Sequence, residues 1–210
     1  MPRSTAERVA EDFLAWVSAP TAPCALELAT LAGLKPAAAD VDRTSLTADG
    51  TLYYSSARQH TTQQRAIARA LARYLLRMAG VHVLQDVVAD TAAALLLPRS
   101  GFLRASERTG WDVRALQALY PNASFAIIAT RIAMLHESVV TWFEGSQVRW
   151  RSPSCDELKA PTRFERHLAE IARETDTVLH PQDRVWAFPL RKSLGVVLVC
   201  ETEALLARKA

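Results

Sequence analysis

The hydrophobic and polar positions between Thr61 and Met78 follow the period of an α-helix. Apolar side chains recur every three or four residues along one face: Ile67, Leu71, Tyr74, Leu75 and Met78. Such a face is normally buried. Thr61 and Thr62 are candidate N-caps, and Gly80 stands just past the end as a stop signal. The pattern therefore predicts a helix over Thr61–Met78.

A second face of the same helix carries four arginines at intervals of four residues: Arg65, Arg69, Arg73 and Arg77. Like charges at this spacing repel each other by roughly a few tenths of a kcal/mol per pair. No Asp or Glu occurs between Asp49 and Asp86 to offset them. We therefore expect another part of the fold, or a partner, to supply the negative charge.

The rest of the chain is interpreted in the same way. Stretches bounded by caps, Gly or Pro predict further helices at Thr5–Val17, Cys24–Leu31, Val83–Leu97, Asp112–Tyr120, Ser124–Leu135 and Pro161–Glu174. Alternating or valine-rich runs predict hairpins at Ser45–Ser55 and Ser138–Trp150 and strands at Arg184–Leu190 and Gly195–Cys200. Asp112 and Ser124 are candidate N-caps, and Pro161 fits the first helical position. Together these elements predict an α+β fold.

The length and the order of the elements suggest how the chain is divided. With 210 residues, half of them hydrophobic, it can form one large domain or one domain with a small appendage. A polar stretch, Ser152–Ala160, follows the second hairpin. We predict a domain over residues 1–151, which includes the helical pair at 112–135, and a small α+β extension over residues 152–210. That extension either joins the sheet of the first domain or forms a separate lobe.

Composition narrows the classes of function. The 25 basic and 22 acidic residues give a net charge of +3, which is too small by itself to indicate nucleic acid. Cys24, Cys155 and Cys200 lie far apart, and such a set indicates reduced thiols in a cytosolic protein. No apolar run approaches the ~20 residues that cross a bilayer, and the charged start is unlike a signal peptide. We therefore expect a cytoplasmic protein without a membrane segment.

Three segments resemble the ImmA/IrrE family of zinc metallopeptidases. DGTLYYSS resembles the strand before the family's catalytic helix, and ARALARYLL (Ala68–Leu76) resembles its AHELGHYLL. ADTAAALLLPRSGF (Ala89–Phe102) is similar to the family's E-A-N-x-F-A-A-x-L-L-M-P segment, and the helical pair that follows also has a counterpart there. The likeness covers roughly Ala6–Arg151. It implies a mostly helical, zincin-like domain with a small antiparallel sheet, followed here by a C-terminal α/β extension.

The zinc chemistry of that family is missing from the matching positions. Arg69 and Arg73 stand where the family has the two histidines of His-Glu-x-x-His, and Ala70 replaces the glutamate that acts as general base. The third ligand position falls on Val88, or on Val87 if the alignment slips by one residue. A guanidinium is cationic and has no lone pair for a metal. The resemblance therefore predicts a pseudopeptidase without catalytic residues, metal or cofactor, and not an enzyme.

Other catalytic patterns find little support. The five histidines form no pair at metal-ligand spacing: His60, His82, His136, His167 and His180. Cys155 and Cys200 leave a Cys-His nucleophile open, although Cys200 ends an apolar strand and is expected in the core. Seven glycines and no Gly-rich motif make a phosphate loop improbable.

The arginine face of the long helix has a structural and a functional interpretation. In the structural one, which is the more common outcome, Arg69 and Arg73 pair with Asp86, Asp90 or another buried carboxylate. In the functional one they bind an acidic peptide or a phosphate. Active relatives recognise and cleave helix-turn-helix repressors, so the resemblance implies a protein partner such as a transcription regulator. Arg65, Arg69, Arg73, Arg77, Tyr53 and Tyr54 are the predicted contact residues.

The alternative function is a nucleic-acid-binding regulator. It would use the arginine-bearing helix together with Arg149 and Arg151 of the second hairpin. Aromatic residues on the strands offer a stacking platform, although at alternating positions they are more often core: Trp142, Phe143, Trp150 and Trp186. The second helix of the pair at 112–135 has only Arg131 as a basic residue and is expected to be a packing element. Apolar segments in the C-terminal half leave room for a homo-oligomer.

Overall fold

The computed structural model describes residues 4–20, 22–152, 158–182, 184–190 and 195–206, which form a mixed α and β protein. The helices are α1 (Thr5–Trp16), α2 (Ala25–Leu31), α3 (His60–Met78), α4 (Gln85–Leu96), α5 (Arg99–Thr109), α6 (Val113–Leu119), α7 (Phe125–Leu135), α8 (Arg163–Thr175) and α9 (Thr202–Leu206). The strands are β1 (Lys35–Ala39), β2 (Ser45–Leu46), β3 (Thr51–Ser55), β4 (Ser138–Glu144), β5 (Gln147–Ser152), β6 (Leu179–Gln182), β7 (Val185–Leu190) and β8 (Gly195–Glu201).

Internal contacts divide the chain into two compact units. The first consists of Met1–Gly110 and Leu116–Arg131, and the second of Trp111–Ala115 and Ile132–Ala210. The boundary therefore passes through α6 and α7. It differs from the boundary predicted between residues 151 and 152, because β4 pairs with β8 and so brings the β4–β5 hairpin into the second unit.

The first unit is mainly helical and contains a three-stranded sheet in the order β1-β3-β2. The predicted hairpin is confirmed by the antiparallel pairing of β2 with β3, and β1 adds a parallel strand that the sequence did not predict. The turn is closed by Asp49, which accepts hydrogen bonds from the hydroxyls of Thr47 at 2.5 Å and Thr51 at 2.7 Å. Gly50 supplies the positive φ of 83° that this turn requires.

Helix α3 packs against α1, α2, α4 and β3 and is buried over more than half of its circumference. The helix itself and its predicted last residue, Met78, are confirmed, but its predicted N-cap is wrong. It begins at His60, with Gln59 at the N-cap and no side-chain cap bond, so neither Thr61 nor Thr62 is the cap. Met78 was predicted on the buried face and is 71% exposed, because it is the last residue of the helix and extends past the core.

Helices α4 and α5 meet at Pro98. The predicted apolar helix is confirmed as α4, and its last turns are fully buried. Pro98 then serves as the N-cap of α5, which the sequence did not predict. The segment buries only Phe102, Ala105 and Ser106. Three residues, one of them polar, are too few to give the apolar periodicity by which a helix is recognised in a sequence. Gly110 ends α5 in the left-handed conformation, with a φ of 59°.

The second unit is built on a five-stranded antiparallel sheet in the order β5-β4-β8-β7-β6. The predicted second hairpin and both predicted C-terminal strands are confirmed, and β6 was missed. Helix α8 covers one face of the sheet around Phe143, Leu168, Val196 and Leu198. Because Cys200 belongs to the same core, its predicted burial is confirmed.

Helix α8 begins with a capping box and not with a proline. The Thr162 hydroxyl accepts a hydrogen bond from the backbone N–H of Glu165, whose carboxylate accepts one from the backbone N–H of Thr162. Pro161 therefore precedes the cap, and its predicted place at the first helical position is wrong. Cys155 and most of the predicted linker lie outside the described residues. Within those residues, no helix has the length and apolar character that crossing a bilayer requires.

Candidate functional site

The solvent-facing side of α3 is formed by the four arginines that were predicted to share one face of the helix. We call them the arginine strip: Arg65, Arg69, Arg73 and Arg77. Arg65 and Arg77 are exposed, whereas Arg69 and Arg73 are half-buried. The strip arises because residues four apart on a helix lie above one another and the other sides of α3 are taken by neighbouring elements. One helix therefore presents four cations from a narrow surface between packed elements.

The two central arginines lack the ion pairs that the structural interpretation expects. Arg69 Nη2 donates a hydrogen bond to the Gln85 side chain, with 3.0 Å to Oε1. Across the part of the chain that the structure describes, no carboxylate forms an ion pair with Arg69 or Arg73. Burial, and then the charges of Arg65 and Arg73, lower the pKa of Arg69. The local electrostatics thus favour an added anion.

Asp86 and Asp90, the two carboxylates expected near the strip, belong to other surroundings. Asp86 is exposed, and Asp90 is half-buried on α4. The pKa of Asp90 is raised to about 6, mainly by burial and then by the charge of Asp86, with a smaller contribution from Glu7, while Arg131 acts in the opposite direction. Neither arginine of the strip contributes to that shift, so the Asp90 environment is separate from the strip.

The positions that match the family's zinc ligands do not form a metal site. Arg69 and Arg73 are on the open side of α3, while Ala70 is only 6% exposed and Val88 is fully buried. Val87 is half-buried. A site made of two guanidiniums and apolar side chains offers a metal no lone pair, so zinc does not fit here. In the described ranges, no three His, Cys, Asp or Glu side chains gather where they could hold a metal ion.

Tyr53 and Tyr54 do not belong to one surface. They are neighbours on β3, where successive side chains point to opposite faces of the sheet. Tyr54 shares its face with the fully buried Leu52 and is half-buried, whereas Tyr53 is 37% exposed on the other face. At most one of these tyrosines can therefore accompany the arginine strip.

The hairpin arginines of the nucleic-acid alternative are already neutralised. Arg151 is almost fully buried and forms an ion pair with Glu165, with 2.6 Å between Nη1 and Oε1. Arg151 Nε also donates to the Leu158 carbonyl at 2.7 Å. Arg149 is exposed and lies 3.3 Å from the Glu144 carboxylate. The expectation that both offer free charge to phosphates is therefore wrong for Arg151 and weakened for Arg149.

The aromatic residues of the second sheet do not form one exposed platform. Phe143 is only 2% exposed and lies in the core beneath α8, so it is not a stacking surface. Trp142 and Trp150 are cross-strand partners and are half-buried, as is Trp186 on β7. Partial burial of all three indoles supports the core interpretation made from their alternating positions.

The helical pair at 112–135 is a packing element, as predicted. Asp112 Oδ1 accepts hydrogen bonds from the backbone N–H groups of Arg114 at 2.7 Å and Ala115 at 3.2 Å, which confirms its capping role. Its isoleucines are in the core, and Arg131 is fully buried against Glu7 on α1. No local pattern indicates that buried pair, because its two residues come from opposite ends of the first unit.

His60 begins α3 but makes no contact with the strip. It is exposed, and its Nε2 lies 2.9 Å from Oδ1 of Asn122. Compared with models of known protein families and with curated protein sequences, the chain matches none.

Proposed function

We propose that this protein is a catalytically inactive relative of the ImmA/IrrE peptidases that regulates by binding another protein through its arginine strip. The partner carries acidic side chains, and a helix-turn-helix transcription regulator is the class that the resemblance implies. The observation that carries the proposal is the half-burial of Arg69 and Arg73 without a carboxylate partner among the described residues.

Energetics support a binding role over a scaffolding role. A cation held partly out of water loses hydration, and the fold normally compensates by placing a carboxylate beside it. Here Arg69 receives only the neutral amide of Gln85 and is flanked by Arg65 and Arg73. An acidic ligand supplies the missing charge, and a guanidinium binds a carboxylate in bidentate fashion. The strip therefore gains more from a partner than it contributes to the fold.

The packing of α3 and α4 also supports the resemblance on which the pseudopeptidase part rests. In the family, these two helices supply the metal ligands. Here Arg69 meets Gln85, one helical turn before Val88, across the same pair of helices. The two helices that carry the substituted positions are thus packed against each other, and none of those positions holds a catalytic group.

Partner capture with matched charge variants tests the binding claim. The purified chain is compared with R69Q/R73Q and with R163Q/R166Q, which removes two exposed charges from α8. Captured proteins are crosslinked and quantified by mass spectrometry. We expect a specific acidic partner to be retained by the wild type and by the α8 control and to fall at least about tenfold with R69Q/R73Q. Equal capture by all three, or no specific protein, would overturn the proposal.

Two further measurements separate the proposal from its competitors. Metal analysis of the purified chain that found stoichiometric zinc, together with peptide-bond hydrolysis, would contradict catalytic inactivity. For the nucleic-acid alternative, a gel shift at low salt is decisive, because phosphate contacts weaken steeply as salt rises. We expect no shift that depends on Arg69 and Arg73.

A further inference from the structure

A second basic surface of the first unit forms a groove along α5. The groove has a volume of about 420 Å³ and is lined by Gly101, Arg104, Glu107, Arg108 and Tyr120. Gly101, Arg104 and Arg108 are spaced by three and four residues, so they share one face of α5. Gly is a poor helix former, and at position 101 it lines the groove without a side chain.

Two guanidiniums converge on this groove without acidic partners. Arg104 and Arg108 are exposed, and neither forms an ion pair with a carboxylate of the described chain, although Glu107 lies between them in sequence. Arg104 Nε donates to the Ser100 carbonyl at 3.2 Å, which holds that side chain along the helix. The other N–H groups of both arginines are left for a ligand.

Tyr120 forms the buried end of the groove. It is 5% exposed, and its ring packs on Phe102 with 5.8 Å between ring centroids. Burial raises the pKa of Tyr120, although the charges of Arg108 and Arg104 act on it in the opposite direction. The phenol therefore keeps its proton at neutral pH and can donate a hydrogen bond next to the two guanidiniums.

These groups are the donor set of an anion site. We propose that the α5 groove binds a phosphate group, held by the guanidiniums of Arg104 and Arg108 and by the Tyr120 hydroxyl. Guanidiniums match the geometry of phosphate oxygens, and a rigid neutral donor in the same groove adds orientation. Glu107 disfavours ligands that carry further negative charge on its side of the groove. The volume admits a phosphate monoester as well as the free ion.

Isothermal titration of the full chain at constant ionic strength tests the site, with inorganic phosphate, AMP and uncharged adenosine as probes. We expect a Kd on the order of 0.1–1 mM for phosphate, no binding of adenosine, and at least about tenfold weaker phosphate binding by R104Q/R108Q. Y120F keeps the ring and should weaken binding by less. Tighter binding of AMP than of phosphate would identify an organic monoester as the ligand.

A matched control separates this site from general surface charge. R163Q/R166Q removes two exposed charges from α8, outside both basic surfaces, and should leave phosphate affinity unchanged. No phosphate binding by the wild type overturns the proposal, and so does binding that survives R104Q/R108Q. Salt-sensitive binding of duplex DNA, without binding of phosphate or AMP, would assign the groove to nucleic acid. That result would also overturn the proposed phosphate site. Circular dichroism of each variant checks that the fold is intact.

Discussion

The guanidinium of Arg131 lies 2.8 Å from the carboxylate of Glu7, although 124 residues separate the two in sequence. Both side chains are almost completely buried, and Arg99 approaches the same carboxylate at 3.1 Å. Arg131 Nε also donates to the Leu97 carbonyl at 2.9 Å. This network joins α1, α7 and the end of α4 in the first unit, so its integrity should control the stability of that unit.

Removing one member of the pair should be costly. Glu7→Gln leaves the guanidinium of Arg131 buried without its counter-charge, and such changes typically cost about 3–5 kcal/mol. Replacing both residues by apolar ones of similar size, as in E7M/R131M, should recover much of that loss, because no fully buried charge is left unpaired and the partly exposed Arg99 stays in contact with water. Urea unfolding measures the free energies. If E7M/R131M were less stable than Glu7→Gln by more than the error, this account of the network would be wrong.

Asp90 should make the stability depend on pH in an unusual direction. Its folded-state pKa of about 6 lies above the usual value of 3.8 for an aspartate, so the folded chain holds the proton more tightly than the unfolded chain. Its contribution therefore favours folding at low pH and is lost as the pH rises from about 4 to 6. Asp90→Asn should raise the free energy of unfolding by about 1–2 kcal/mol at pH 7.5, after allowance for its partial exposure.

The control for Asp90 is the same comparison at acidic pH. At pH 4 the wild-type side chain is largely protonated in the folded state and resembles the amide of the variant, so the two proteins should differ little. Asp86, Glu7 and Arg131 are the charged groups that act on Asp90, and Asp86→Asn should give a smaller effect of the same sign. A difference that is equal at pH 4 and pH 7.5 would exclude titration of Asp90 as its cause.

The local parts of this fold could be predicted, and the parts that depend on distant partners could not. Helices α3 and α4 could be predicted from the periodic spacing of their apolar residues. Both hairpins could be predicted from their turn residues and from the alternation of apolar and polar residues. Strand β1, with the sequence KPAAA, has no pattern of its own and exists because it pairs with β3. A strand without alternation cannot be recognised until its partner is known.

The candidate site shows the same limit. That the four arginines share one face of a helix could be predicted from their spacing, because four residues make slightly more than one helical turn. Whether Arg69 would meet a carboxylate could not be predicted, since its neighbour Gln85 comes from another helix. Arg151 shows the opposite outcome. It was predicted as a surface charge, but its side chain is buried and forms an ion pair with Glu165 of α8. Burial of a charged side chain depends on tertiary contacts that composition does not record.

The two arginines of the second hairpin should respond differently to the same substitution. Arg151→Ala removes a buried cation from Glu165 and from the Leu158 carbonyl and should cost about 3–5 kcal/mol. Arg149→Ala breaks only an exposed pair with Glu144 and should cost less than about 1 kcal/mol. Chemical denaturation followed by tryptophan fluorescence, to which Trp142 and Trp150 of the second unit contribute, reports both losses. Similar losses in the two variants would contradict the contrast in burial.

We expect the arginine strip to lower the stability of the chain while it strengthens binding of the partner. Arg73 repels Arg69 and Arg77, each four residues away, so Arg73→Gln should raise the free energy of unfolding by roughly 0.5 kcal/mol while weakening partner capture. The gain should shrink as salt is added, because screening removes the repulsion. Thermal unfolding at low and high salt provides the measurement, with Arg149→Gln as a control that should not stabilise. If Arg73→Gln instead destabilised the chain at low salt, Arg73 would stabilise the fold. The proposal that the strip binds a partner would then be wrong.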